Sequence, residues 1–314
     1  MTRPFMVLML VILSTLSILI GAKDINLLQL DSRDMYIILV SRIPRLISII
    51  VVGSSISITG LIMQTITKNK FVSPTTAGTV QWTRLGILVA ILFFGSETHF
   101  TKMLVAFAFS LLGSFLFISL LSRIKVKNTI LIPLIGLMLG SVVSAVTTYF
   151  AYHYDLVQNM SSWLQGDFSL IIKGRYELLY IGIPFLIIGY LFADKFTIAG
   201  MGRDFSQNLG LKYEHVVAVG LIIVSMITSV VTVTVGALPF LDLIVPNIVS
   251  MAKGDNLKNS LLDTALIGTN FVLLCDILGR VLLFPYEISI GMIVSVIGSA
   301  IFLWMILRRS NHAV

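Results

Sequence analysis

Apolar runs long enough to cross a lipid bilayer recur along the whole chain of 314 residues. A helix needs about 17 to 25 apolar residues to cover the hydrocarbon core, and backbone groups in lipid must find hydrogen-bond partners within the segment. Only 12% of the residues are charged, whereas a soluble domain carries about 25%. The sequence therefore predicts an all-α, polytopic membrane protein, with residues 1–314 forming a single transmembrane domain.

About ten runs have the length and hydropathy of a span. The first run follows Arg3 and could also be a cleaved signal peptide, but its length favours a retained span. The eighth is short and contains Pro246, so we expect a broken or partly re-entrant helix there. The predicted spans are roughly 5–21, 45–66, 79–95, 101–121, 129–152, 177–193, 214–236, 239–252, 260–282 and 289–307.

The distribution of Lys and Arg predicts the orientation in the membrane. With the N-terminus inside, the inner segments hold 13 of these cations and the outer segments hold 7, with Arg84 and Arg280 left out because they lie in or beside spans. The positive-inside rule then places both termini in the cytoplasm. The net charge of +7 is spread over short loops, a pattern typical of a membrane protein rather than of a nucleic-acid-binding one.

Two loops are longer than a connection requires. The outer loop, about 154–176, contains Trp163, which is either the anchor of a short interfacial helix or a plain aromatic-belt residue. In the inner loop, about 194–213, glycines flank a segment in which Phe205 and Leu209 are four residues apart. This spacing predicts a short amphipathic helix closed by Gly210 on the cytoplasmic face.

Motifs for catalysis and for cofactor binding are missing from the sequence. It contains no zinc-protease motif, no cysteine cluster, no nucleophile elbow and no phosphate-binding loop. The four histidines lie at span ends, in loops or in the tail, and Cys275 lies in an apolar run, where it is expected to be a small buried hydrophobe. We therefore predict a protein that is not an enzyme and has neither a metal nor a cofactor.

Ionisable residues near membrane depth are costly and often functional. Asp276 and Arg280 are four residues apart, so they either pair on one helix face or leave Arg280 to face a partner at the outer end. Asp242 either caps its own helix, which we prefer, or faces a cavity. Arg84 is predicted to snorkel towards an interface, and Glu287 to be a first-turn helix acid.

Arg42 and Arg45 flank Pro44, which suits the start of a helix. Being three residues apart, both are expected to point into the outer solution. They could be solvated or bound to lipid headgroups, or they could hold carboxylates of a protein partner, since guanidinium groups form bidentate, orienting contacts.

Six motifs follow one another along almost the whole chain. They are Arg42-x-Pro44-Arg45; Gly60-x-x-x-Gln64-x-x-x-x-Asn69-x-x-x-x-Pro74-x-x-x-Gly78; Asn208-Leu209-Gly210; Val235-Gly236 followed by Phe240 and Leu243-Ile244-Val245-Pro246; Asp276-x-x-x-Arg280; and Pro285-x-Glu287-x-x-x-Gly291 leading to Gly298. In this order they resemble the FecCD/BtuC-type permease subunits of bacterial ABC importers for iron–siderophore complexes, haem and vitamin B12. The runs 69–78 and 162–169 look like the catecholate-siderophore branch, especially petrobactin-type permeases.

The resemblance implies a type II ABC importer permease in the bacterial cell membrane that moves an iron(III)–siderophore complex inward. It implies as partners a second, identical or different permease chain, two cytoplasmic ATPase subunits and an extracellular or periplasmic binding protein. The docking arginines of the family correspond to Arg42, Arg45 and Arg280. The coupling helix that contacts an ATPase corresponds to Gly202, Arg203, Asp204, Phe205, Asn208, Leu209 and Gly210.

The chain departs from the family pattern at a few positions. Asp242 stands where the family commonly has Gly, Asn247 where it often has His, and Thr269-Asn270 where a small pair is usual. A haem or cobalamin permease of the same family therefore stays open as an alternative. An ion-coupled secondary transporter would favour inverted repeats and mid-membrane carboxylates, and a membrane enzyme would need catalytic motifs; the sequence favours neither.

Overall fold

The computed structural model describes residues 2–21, 32–95, 98–124, 131–158, 160, 165–254 and 256–310. These residues are helical apart from turns, loops and an isolated bridge between Leu283 and Tyr286, which confirms the predicted all-α class. The α-helices are α1 Arg3–Leu19, α2 Ser32–Ile37, α3 Ile43–Thr67, α4 Thr79–Phe94, α5 His99–Arg123, α6 Leu131–His153, α7 Gly182–Leu191, α8 Ala193–Met201, α9 Arg203–Asn208, α10 Tyr213–Thr234, α11 Leu241–Lys253, α12 Leu257–Val281 and α13 Ile290–Ser310.

Among the described residues, six helices are long and apolar enough to cross a membrane. The number is seven if α7, with the 3₁₀ turn Glu177–Ile181 before it, forms one span with α8 across a bend of 58°. Each predicted span overlaps a helix, so a multi-pass membrane protein is confirmed. The count of ten stays a prediction, because α1, α4 and the 13-residue α11 are shorter than the six.

Helix α3 lies at the centre of the bundle and packs against α1, α7, α8, α10, α11 and α12. Small residues allow the backbones to meet. A Cβ atom on Gly53 would lie 2.8 Å from Cα of Thr269, and one on Gly60 would lie 2.9 Å from Cα of Asp242. Close approach of this kind is how helices associate in lipid, where burial of apolar surface gives no driving force.

Pro44 lies in the first turn of α3, as the sequence predicted. The start of this helix is not free, because a π-helical turn, Ile38–Arg42, joins α2 to α3 without a break. The N–H of Ile43 reaches back five residues to the carbonyl oxygen of Ile38. A wider turn of this kind accommodates a proline, which has no N–H to donate.

The loop 68–78 is held against α11 by polar contacts. The amide nitrogen of Gln64 donates to the carbonyl of Leu243 at 3.2 Å, and that of Asn247 donates to the carbonyl of Lys70 at 2.8 Å. The backbone N–H and the hydroxyl of Thr75 donate to Asp242 Oδ2 at 3.0 and 2.7 Å. The expectation that Asp242 caps its own helix is therefore wrong, since its carboxylate is buried and binds the neighbouring loop.

Helix α1 packs along α12, as a retained span would. At its start, Arg3 Nε donates to Asp263 Oδ1 at 3.1 Å. Near its first turns, the amide of Asn270 donates to the carbonyl of Met6 at 3.1 Å. These bonds explain the polar residue at position 270, where a small one was expected: its side chain joins α12 to α1.

Candidate functional site

Two of the three predicted docking arginines bind the end of α1. Arg42 Nη1 donates to the carbonyls of Ile18 and Leu19, the latter at 2.8 Å. Arg280 Nη1 donates to the carbonyls of Ser17 and Ile20 at 2.8 and 2.7 Å. The last four carbonyls of a helix lack partners within it and carry partial negative charge, so two guanidinium groups satisfy this end of α1.

Arg45 binds two carboxylates. Its Nε and Nη2 donate to Asp276 Oδ1 at 3.0 and 2.8 Å, and its Nη1 donates to Glu287 Oε2 at 2.8 Å. The other oxygen of Asp276 accepts from Arg280 Nη2. We call Arg42, Arg45, Asp276, Arg280 and Glu287 the arginine cluster.

The expectation that Arg42 and Arg45 point freely into the outer solution is wrong for the single chain. Arg42 is 7% exposed, and the side chains of Arg45 and Arg280 are 11% and 4% exposed. The physical reason is that unpaired helix-end carbonyls and Asp276 lie within their reach. Of the two readings of Asp276 and Arg280, the ion pair on one helix face is confirmed; the docking role itself stays a prediction.

Glu287 is a member of the cluster that the sequence pattern misplaced. Helix α13 begins at Ile290, so Glu287 precedes it and is not a first-turn acid. Its side chain is 30% exposed and pairs with Arg45. The motifs Asp276-x-x-x-Arg280 and Pro285-x-Glu287 place Glu287 close to Arg280 along the chain. Its pairing with Arg45 on α3 could be seen only in the folded structure.

The predicted coupling helix is present as α9. Phe205 is 48% and Leu209 60% exposed, while Ser206 is buried and its hydroxyl donates to the carbonyl of Ile198 at 3.0 Å. Gly202, with φ of +128°, separates α8 from α9. Gly210, with φ of +76°, follows the helix, and its N–H donates to the backbone carbonyl of Gln207 at 2.9 Å. The short helix with a glycine behind it is thereby confirmed.

The remaining predicted coupling residues lie on or beside the same short helix. Arg203 pairs with Glu214 across the turn into α10, and Asp204 stands in the first turn of α9. Asn208 is the last residue of the helix. The predicted residues therefore form one continuous, largely exposed surface. Their contact with an ATPase stays a prediction.

The inner loop holds a second helix that the sequence analysis missed. Helix α8 occupies 193–201 and packs against the end of α3, where a Cβ on Gly200 would lie 2.9 Å from Thr65 Cγ2. Arg45 lies near the other end of α3, 20 residues from Thr65, which corresponds to about 30 Å at 1.5 Å per residue. The arginine cluster and the loop with α8 and α9 therefore lie at opposite ends of α3.

Other predicted positions have mixed outcomes. Trp163 lies outside the described residues. Arg84 lies level with the middle of α6, beside a cavity described below, and its snorkelling towards an interface stays a prediction. No group of three or more His, Cys, Asp or Glu in the described part of the chain is placed to hold a metal ion.

Comparison with known proteins agrees with this fold. The FecCD transport family model matches residues 5–308. The petrobactin import system permease protein YclN of Bacillus subtilis (strain 168) is 60% identical over 100% of both chains. The ferric-anguibactin transport system permease protein FatD of Vibrio anguillarum is 40% identical over 87% of both. A metal-chelate type ABC transporter solved in an inward-facing conformation has the same fold, with a TM-score of 0.83 at 22% identity over 96% of this chain and 97% of that one.

Replacing Asp276 with Asn should strongly destabilise the protein, because Arg45 and Arg280 would keep buried charges without their shared carboxylate. Breaking a buried ion pair costs about 3–5 kcal/mol. Glu287→Gln removes a partly exposed pair and should cost about 0–1 kcal/mol. The apparent midpoint of thermal unfolding in detergent measures both. A midpoint of Asp276→Asn equal to that of the wild type would show that the cluster does not stabilise the fold.

Proposed function

This chain belongs to the FecCD transport family, and we propose that it is the permease subunit through which an ABC importer carries an iron(III) complex of a catecholate siderophore into the cell. The observation that supports this most is the 60% identity, over the full length, to a petrobactin permease. Haem and cobalamin are less well supported, since the similar relatives are permeases for iron or siderophore complexes.

Membership of the FecCD transport family supports the proposed assembly. The sequence has no phosphate-binding loop, and we assign ATP hydrolysis to two partner ATPase subunits on the cytoplasmic side. A second permease chain completes a pathway wide enough for a large complex, and a binding protein delivers the cargo outside. Both termini lie in the cytoplasm. Closure of the ATPases tilts the spans and opens the pathway to one side at a time.

Docking of the binding protein is assigned to Arg42, Arg45 and Arg280. In the single chain all three are engaged, so carboxylates of the binding protein must exchange with groups that already hold them. Exchange is easiest at Arg45, because its partner Glu287 is the most exposed member of the cluster. We therefore place the first contact at Arg45, with Arg42 and Arg280 holding the end of α1 in position beside it.

Coupling is assigned to α9 and its flanking glycines. Phe205 and Leu209 present apolar surface next to charged residues at the cytoplasmic end of α3. A helix of this size can insert into a groove of a partner by its apolar face. Since α8 packs on Thr65, movement of α9 is transmitted directly to α3.

Uptake by a reconstituted system tests the proposed function. The permease, its ATPase and its binding protein in proteoliposomes should accumulate radioactive iron supplied as the petrobactin complex, in an ATP-dependent manner. Iron supplied as a hydroxamate complex should be taken up far more slowly. Equal uptake of both would overturn the catecholate assignment, and accumulation driven by an ion gradient without the ATPase would overturn the ABC importer assignment.

Exchange at Arg45 predicts opposite effects on binding-protein affinity when Arg45 and its partner Glu287 are each replaced by Gln. Arg45→Gln should weaken binding of the binding protein about tenfold or more, because a hydrogen bond to a charged group contributes about 1.5–3 kcal/mol. Glu287→Gln should tighten binding, since it removes the competing carboxylate. Arg175→Gln, at an exposed arginine of the outer loop, serves as the control and should change little. Unchanged affinity in both test variants would exclude a docking role for Arg45.

The coupling assignment predicts a loss that is specific to ATP-driven transport. In detergent, the double variant Phe205→Ala/Leu209→Ala should copurify with much less ATPase than the wild type, because the apolar contact surface of α9 is removed. Leu39→Ala is the matched control; Leu39 is 54% exposed and lies beyond the other end of α3. Copurification of the ATPase and uptake per ATP hydrolysed are the measurements. Normal values for the double variant would contradict the assignment.

A further inference from the structure

A cavity of about 130 Å³ lies between α4 and α6, outside both sites described above. Its polar lining consists of Gln81 and Arg84 on α4 and three hydroxyl side chains on α6, Ser144, Thr147 and Thr148. The apolar side chains of Ala151, Val157 and Met160 complete the wall. We call this cavity the Arg84 niche.

Two buried polar atoms in the niche lack partners among the described residues. Gln81 Oε1 and Arg84 Nε accept or donate no hydrogen bond there. No carboxylate of the described residues forms an ion pair with Arg84, unlike Arg45 and Arg280, which share Asp276. Both atoms are inaccessible to water, so a ligand in the niche would meet the Nη atoms of Arg84, which form no hydrogen bond with another described residue.

The niche extends from the middle of α6 to the segment that follows this helix. A Cβ on Gly140 would lie 3.2 Å from Gln81 Cδ, so Gln81 is level with Gly140 of α6. Gly140 is nine residues from the first residue of α6 and thirteen from the last. Arg84 is nearly one turn beyond Gln81, about 4–5 Å at 1.5 Å per residue, and so lies near the middle of α6. Val157 and Met160, in the segment that follows α6, close the other side of the niche.

The chemistry of the lining selects an anion. A guanidinium group donates hydrogen bonds to carboxylate or catecholate oxygens, and neighbouring hydroxyls can donate further ones. Intramembrane ionisable residues of this kind face water-filled cavities and mark transport pathways. The volume matches a single aromatic ring, since a cavity of about 150 Å³ holds benzene. The niche can therefore accept one anionic arm of a large complex but not the whole complex.

We propose that the Arg84 niche binds an anionic oxygen-bearing arm of the iron(III)–siderophore complex as it passes through the permease. This inference rests on the proposed function, which supplies the anionic cargo. Arg84 is the charged contact, the hydroxyl of Ser144 donates a further hydrogen bond to the arm, and the apolar wall receives its ring. The niche thus selects catecholate or carboxylate cargo at mid-membrane depth, separately from the selection made by the binding protein.

The test compares Arg84→Gln and Arg84→Lys with wild type in the reconstituted importer. Arg84→Gln should lower uptake of the iron(III)–petrobactin complex about tenfold, the loss of one hydrogen bond to a charged group. Arg84→Lys should restore part of it, because the charge is kept. Binding-protein affinity should stay unchanged in both. Arg123→Gln, at an exposed arginine at the end of α5, should transport normally.

Thermal unfolding separates binding from a structural role. Loss of an unpaired charge should leave the unfolding midpoint of Arg84→Gln unchanged or raise it, whereas a lowered midpoint with lost uptake would overturn the proposal. Undiminished uptake by Arg84→Gln would also overturn it while leaving the proposed function intact. Absence of uptake by the wild-type chain would instead overturn the proposed function, and the cargo of the niche with it.

Discussion

Direct contact between helix backbones along α3 is the constraint on which the rest of this fold depends. In lipid, helices gain little from burying apolar surface against each other, so close packing must hold them together. Gly53 and Gly60 let α12 and α11 approach α3 until a single added Cβ would overlap their main chains. Because α1 is in turn bound to α12, the glycine positions on α3 determine the positions of α11, α12 and α1. A helix enclosed in this way moves only together with its neighbours.

The arginine cluster combines two requirements that oppose each other. A protein that docks a partner at its outer face needs cations there, yet cations at the end of a membrane span need compensation. Each guanidinium of the cluster has an internal acceptor, either the end of α1 or Asp276. Under the proposed docking role, carboxylates of the binding protein would replace these existing partners instead of entering an empty position. Such an exchange keeps the number of charge contacts nearly constant, so binding can be specific without being irreversible.

The sequence predicted the elements well and the side-chain partners poorly. Span positions follow from hydropathy, and α9 followed from glycines and the spacing of Phe205 and Leu209, because both signals are local. The partners of Arg42 lie 23 and 24 residues away, and the partner of Asp242 lies 167 residues away. No period within one helix encodes such contacts. The wrong orientation of Arg42 and the wrong cap at Asp242 have this common cause, and Arg84 could be placed at mid-depth only once Gly140 was found beside Gln81.

The contacts around loop 68–78 connect the two ends of the proposed mechanism to the Arg84 niche. This loop follows α3 directly, is fixed to α11 through Thr75 and Asp242, and leads straight into α4, which carries Arg84. In the proposed mechanism, a tilt of the end of α3 that contacts α8 acts on this loop and through it on the start of α4. Gly78 lies there against the backbone of Gly136 and Gly140, so we expect α4 and α6 to pivot about this contact instead of sliding past each other. The niche lies beyond the pivot, between the same two helices. Under this proposal, force applied at α9 changes the width of the niche and thereby its hold on an anionic arm.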